Sequence, residues 1–215
     1  MTAAPATMVE RLRTSTRDWH DALEATPFAS AMIAGNLPLE RYVGQLAAYR
    51  SVLGALEGEL SRVTAPVADD PVWSPDLGKL PLVERDLAYF ANLGTAPGPS
   101  AAVETEAFAA EIRQRAAESD LPALLGFLYV MEGSTLGALF LHPYITATYQ
   151  LPGTDGVAYY TSGDRDRWTR FTARMNQAFA EPEAQDAVVA AARQAYGHVA
   201  AITNALSEGL VPATR

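Results

Sequence analysis

Residues 124–141, LLGFLYVMEGSTLGALFL, limit what this chain can fold into more than any other stretch. The segment is apolar almost throughout, yet it carries Gly126, Gly133 and Gly137. Each glycine inside a helix costs about 1 kcal/mol relative to alanine. A buried helix that keeps them needs the space a side chain would fill. Gly133 and Gly137 stand four residues apart and flank Ser134 and Thr135, so on a helix they bare one face to close approach. Two readings without chemistry compete: a membrane span with a small-residue packing face, and a core helix crossed tightly by another. Glu132 in mid-segment speaks against the span, because an ionisable side chain is costly in a bilayer core. The tight crossing remains open at this level.

A chain of 215 residues that is 49% hydrophobic is long enough for one sizeable core. A single domain over residues 1–215 is therefore expected. The net charge of −9 argues against non-specific nucleic-acid binding. Cysteine is absent, which removes disulfides, thiolate metal sites and a cysteine nucleophile. The first residues lack the apolar core of a signal peptide, with charges arriving by Glu10. A soluble, cytoplasmic protein without membrane attachment is the expectation.

Helical periodicity dominates the chain, and no convincing alternating strand pattern interrupts it. Val9, Leu12, Trp19 and Leu23 fall at helical spacing in a first helix that stops before Pro27. Pro38 opens a second, with Tyr42, Leu46, Tyr49, Leu53, Leu56 and Leu60 as its apolar stripe. Residues 65–81, with several prolines, read as a surface loop. Helices follow over 82–93 and 101–118, separated by the Gly- and Pro-rich residues 94–99. The glycine-bearing helix starts near Pro122 and kinks or ends near His142 and Pro143. Residues 152–163 read as a second loop. Two more helices carry Trp168, Phe171, Met175 and Phe179, then Val188, Ala192, Tyr196, Val199, Ile202 and Leu206. The fold class is all-α, a bundle of seven or eight helices.

On the first helix, Arg13, Arg17, His20 and Glu24 are spaced 4, 3 and 4. At about 100° per residue they fall within about 60° of one another, beside the apolar stripe. His20 thus sits where the helix turns from core to boundary, with Glu24 one turn on. A carboxylate partner fixes the tautomer of a metal-ligating imidazole and raises its basicity. Two arginines upstream can grip an anionic group with forked hydrogen bonds. The competing reading is a surface ion pair on a solvated helix face. His142, before a proline at a helix end, is expected to be exposed, and His198 to be structural.

Together, residues 12–24 (LRTSTRDWHDALE) and 128–141 (LYVMEGSTLGALFL) resemble the haem oxygenase family, most of all its bacterial, bacteriophytochrome-associated branch. Residues 171–176 (FTARMN), followed by a long terminal helix, extend the resemblance over most of the chain. It implies a haem-oxygenase-like helical fold in which His20 is the axial ligand of the haem iron and Glu24 its supporting carboxylate. Gly133, Ser134 and Gly137 correspond to the helix that lies over the opposite haem face. Arg13 corresponds to a propionate contact and Arg17 lies nearby, with Arg170 and Arg174 as further candidates. Ser134 stands where eukaryotic members have Asp, and Ala138 where many members have a second glycine.

The resemblance implies an enzyme that cleaves haem, at once cofactor and substrate, to biliverdin, CO and ferrous iron. The chain has no nucleotide-binding glycine loop and no iron–sulfur cysteines. Besides O2, it then needs an external electron donor, a ferredoxin or a flavoprotein reductase. A bacteriophytochrome is a candidate recipient of the biliverdin. The alternative is a non-catalytic haem-binding or haem-transfer protein on the same fold.

Overall fold

The computed structural model describes residues 6–64, 72–98 and 101–210. The start of the expected loop at 65–81, Pro99 and the first five residues lie outside them. Eight α-helices and two 3-10 turns make up the described chain, with no strand among the described residues. The helices are α1 (Met8–Glu24), α2 (Pro27–Ile33), α3 (Leu39–Thr64), α4 (Leu80–Asn92), α5 (Ala102–Ala117), α6 (Leu121–Tyr149), α7 (Arg165–Ala178) and α8 (Pro182–Ser207).

Local chemistry starts these helices. Thr7 and Glu10 form a reciprocal capping box on α1. Thr26 caps α2, whose first residue is Pro27, so the proline that ends one helix begins the next. Sequence periodicity gave no sign of α2, which is only seven residues long. Asp120 caps α6 through the Ala123 N–H, and Asp164 caps α7 through that of Arg167.

The central helix is α6. Its first half is buried on every side from Ala123 to Glu132, as a helix apolar all round must be. By length and composition alone α6 could cross a membrane. Here it packs instead against α8, α3, α5 and α2. Gly126 marks the tightest crossing, because a Cβ there would lie 2.6 Å from the Val188 carbonyl oxygen of α8 and 2.8 Å from the Ala191 Cβ. Of the two outcomes expected near Pro143, a kink or an end, the end does not occur: α6 runs on to Tyr149 with Pro143 inside it. His142 is accordingly half-buried rather than exposed, and its Nε2 is buried with no partner among the described residues. His198 stacks on Phe108 with ring centroids 4.7 Å apart, the structural role expected of it, and burial lowers its pKa.

Both expected surface loops send a run of residues into the interior, as far as they are described. Trp73, Leu77 and Lys79 are buried, and so are Val157, Ala158, Tyr159 and Tyr160. Residues 156–160 are held by three devices. Gly156 adopts φ +77°, and a Cβ on it would meet Tyr89 and Phe90. Tyr42 Oη donates to the Gly156 carbonyl at 2.9 Å. Asp86 on α4, fully buried, accepts from the N–H groups of Ala158 at 2.7 Å and Tyr159 at 2.8 Å.

Burial pushes the Asp86 carboxyl up to about 6, against these two hydrogen bonds. The folded chain then keeps a proton that the unfolded chain loses near pH 4. The stability from this group is therefore fully present below about pH 4 and is lost as pH rises to about 6. Thermal melts across that window should show the Tm of wild type falling relative to that of Asp86→Asn. A Tm difference constant with pH would mean that Asp86 does not titrate there.

Candidate active site

Both α1 and α6 pack along α8, but they make little contact with each other. The gap between them is a cavity of about 600 Å³, inside the range of about 300–1,000 Å³ typical of small-molecule sites. His20, Leu23 and Glu24 of α1 line it, as do Gly133, Ser134, Gly137 and Ala138 of α6. Apolar side chains from α2, with Tyr49, Tyr159, Tyr160 and Trp168, complete the wall. Five of the residues singled out in the sequence, His20, Glu24, Gly133, Ser134 and Gly137, thus meet around one space.

The glycines of α6 divide their roles. Gly126 serves the crossing with α8, so the tight-packing reading holds at that position. A Cβ on Gly133 would meet the Trp168 ring at 3.2 Å. At Gly137 a Cβ would meet nothing within 4 Å, so this glycine faces open space and packing alone does not require it. Ala138 is buried and adds its methyl group to the same wall.

His20 stands on the exposed part of α1, with its side chain 54% exposed. Its Nε2 lies 3.7 Å from Glu24 Oε1 and its Nδ1 3.7 Å from Asp21 Oδ1. Both distances exceed hydrogen-bond length, so the ring is guided by charge but not locked. Trp19, expected on the apolar stripe, is 37% exposed. Thr16 takes a core position in α1 instead, its hydroxyl donating to the Leu12 carbonyl. A smaller cleft of about 370 Å³ adjoins the cavity through His20, Tyr129 and Tyr196, and Arg13 and Arg17 line it.

Arg170 and Arg174 do not line either space. They face residues 74–76, where the Ser74 hydroxyl mainly, and then these two charges, hold the Asp76 carboxyl below its usual pKa. The arginine of α7 that turns inward is Arg167. Its Nε donates to Glu132 Oε1 at 2.8 Å, while Lys79 Nζ donates to Glu132 Oε2 at 2.6 Å. The membrane-disfavouring Glu132 is thus 2% exposed and paired twice. Burial lowers the Lys79 pKa, with Glu132 opposing it. This trio ties α6, α7 and the start of α4 together directly behind Gly133.

Sequence reasoning missed the tyrosines of the wall. Tyr49 was assigned to the core stripe of α3, and Tyr159 and Tyr160 fell in an expected loop. The signal available was a pair of adjacent aromatics in a segment otherwise read as solvent-facing.

Comparison with known proteins decides the family. The family model described as "Heme oxygenase" matches residues 6–204. The chain belongs to the haem oxygenase family. Among solved structures, a haem oxygenase from Leptospira interrogans is 20% identical with a TM-score of 0.79, over 94% of this chain and 100% of that one. Haem oxygenase-1 from the cyanobacterium Synechocystis, solved in complex with haem, is also 20% identical with a TM-score of 0.79, over 95% and 94%. Haem oxygenase 2 from Chlamydomonas reinhardtii, solved without haem, is 19% identical with a TM-score of 0.80, over 97% and 100%. These likenesses show that the chain has the all-α haem oxygenase fold. No curated protein matches the sequence at a significant level.

The residues present fit the group the family implies. A flat macrocycle needs apolar walls, a base on one face, clearance on the other and cations near its carboxylates. The cavity of this haem oxygenase family member offers the first three in His20, Gly137 and the surrounding apolar side chains. The adjoining cleft offers the cations.

Proposed function

We propose that this chain is a bacterial-type haem oxygenase, acting as a single domain, that cleaves haem to biliverdin, CO and ferrous iron. The observation that carries the reading is that His20 and Gly137, from separate helices, face one cavity. Bound haem supplies both the iron that activates O2 and the macrocycle that is opened. The rest is the work of the chain.

His20 would offer one imidazole nitrogen to the iron, and the carboxylate beside the other nitrogen, Glu24 or Asp21, would then orient the ring. Arg13 and Arg17 neutralise the propionate carboxylates at the mouth. Arg170 and Arg174 line neither the cavity nor the cleft, so Arg13 and Arg17 are the better-placed pair for this role. Gly137 leaves open space in the α6 wall for a small gas molecule, Gly133 lets the Trp168 ring sit close to the helix, and the apolar walls restrict water. The Ala138 methyl lines the same space and would help decide how bound haem is turned, and with it which bond is opened. Electrons come from outside, from a ferredoxin or flavoprotein reductase in the cytoplasm, and a bacteriophytochrome is a fitting acceptor of the product.

The test is a hemin titration of purified wild type and His20→Ala, followed by reductant in air. A 1:1 Soret band that depends on His20 and then gives way to broad bilin absorption is the expected result. A His20-dependent band that persists under reductant identifies a haem carrier instead. A spectrum unchanged in His20→Ala removes His20 as the ligand.

A further inference from the structure

Hydroxyl groups from several elements line the cavity, and four of them donate to partners within the protein. Thr203 donates to the Val199 carbonyl at 2.8 Å, and Thr26 to that of Leu23 at 2.8 Å. Tyr160 Oη donates to Gln45 Oε1. Ser134 Oγ donates to the Met131 carbonyl at 2.8 Å. A serine hydroxyl has one proton, so in the remaining contact, Ser134 Oγ to Tyr159 Oη at 3.4 Å, the phenol must be the donor. That contact is long for a hydrogen bond between hydroxyls, which cluster near about 2.8 Å. The Tyr159 hydroxyl is therefore only weakly engaged within the protein.

The phenol is also firmly placed. Tyr159 is 2% exposed, its N–H is bound by Asp86, and Gly156 shapes the turn that precedes it. Its ring packs edge-on to Tyr49 at 5.4 Å and to Tyr160 at 5.4 Å. Burial holds its pKa well above the usual value, so it stays protonated at physiological pH. It lines the same cavity as Gly133, Ser134 and Gly137, where no carboxylic acid follows the first glycine.

We infer that the Tyr159 hydroxyl is the hydrogen-bond donor that meets a small anionic or oxygen-bearing ligand on the Gly133–Gly137 side of the cavity. Ser134 is its resting partner, accepting the hydrogen bond of the phenol when the cavity holds no such ligand and giving it up when one arrives; the proton stays on Tyr159 throughout. The inference rests on the haem reading above. It assigns a role to a residue that no motif marks, in a segment held in place by Asp86 and Gly156.

Fluoride is a suitable probe, because it binds ferric haem as an anion that only accepts hydrogen bonds. Its Kd is to be measured spectroscopically on the hemin complexes of wild type, Tyr159→Phe and Ser134→Ala at one neutral pH. Loss of one hydrogen bond to a charged group predicts about tenfold weaker fluoride binding in Tyr159→Phe. Ser134→Ala removes only the competing acceptor, so its fluoride affinity should equal or exceed that of wild type. This second variant keeps the test decisive should Tyr159→Phe fail to fold. Equal Kd values in wild type and Tyr159→Phe overturn the inference, and so does weaker binding in Ser134→Ala. If wild type forms no His20-dependent Soret band, the haem reading fails and this inference falls with it. A normal Soret band with unchanged fluoride affinity overturns the Tyr159 role alone.

Discussion

Gly126→Leu is expected to cost the bundle at least about 3 kcal/mol, while Gly137→Leu leaves it folded and closes the cavity. The difference follows from what each new side chain would meet. At Gly126 even the first carbon would stand 2.6 Å from a backbone oxygen and 3.0 Å from the Ala192 nitrogen of α8. Backbone cannot step aside as a flexible side chain can, so α6 and α8 must separate along their crossing. A small protein has only about 5–15 kcal/mol of stability in total, and the variant should melt far earlier or fail to fold. At Gly137 nothing stands within 4 Å. Leucine there gains up to about 1 kcal/mol of helix propensity and projects into the space between α1 and α6. Its thermal melt should match or exceed that of wild type, while the hemin Soret band disappears. A wild-type melt for Gly126→Leu would refute the tight crossing. An undiminished Soret band in Gly137→Leu would place haem elsewhere.

Glu132→Ala should destabilise the fold by about 3–5 kcal/mol in urea titration, since it leaves buried cations without their counter-charge. Lys79 is 2% exposed and Arg167 is mostly covered, and both donate to this one carboxylate. Glu57 does not replace it, because its carboxylate accepts from the N–H groups of Lys79 and Leu80 rather than from the ammonium. Glu132→Gln keeps an acceptor but no charge and should fall between the two. A loss below about 1 kcal/mol, the size typical of an exposed pair, would show that the trio does not brace the site.

Periodicity made the long helices legible, because each had to turn an apolar stripe inward. It passed over α2, where Thr26 and Pro27 form a proper helix start but seven residues are too few to show a period. It left a kink and an end open at Pro143, and the helix runs on, since a proline late in a long packed helix costs less than the packing that helix retains. Spacing on α1 and α6 marked the charged and glycine positions as candidates but left a surface ion pair and a tight crossing open beside them, and only the family resemblance chose between these readings. The tyrosine wall could not, because Tyr159 and Tyr160 sit in an irregular segment whose burial is imposed by Asp86, Tyr42 and Gly156, residues distant in sequence. The arginines of α7 show a further limit. Arg167, Arg170 and Arg174 share one face of a helix, and only the depth of Glu132 in the core decides which of them turns inward.

The helix that carries His20 is anchored at both ends and bare between them. At its start the Val9 N–H is bound by Asn176, Arg11 by Gln185 and Asp186, and Met8, Leu12 and Thr16 are sunk in the core. At its end Leu23 packs on the core, and Thr26 and Phe28 are buried where α2 begins. From Arg17 to Ala22 every residue is exposed. That stretch hangs like a bridge deck between two piers, held chiefly by its own backbone hydrogen bonds. A stretch with few buried contacts is the cheapest to open locally, so its amides should exchange faster than those from Met8 to Thr16 while both piers stay closed.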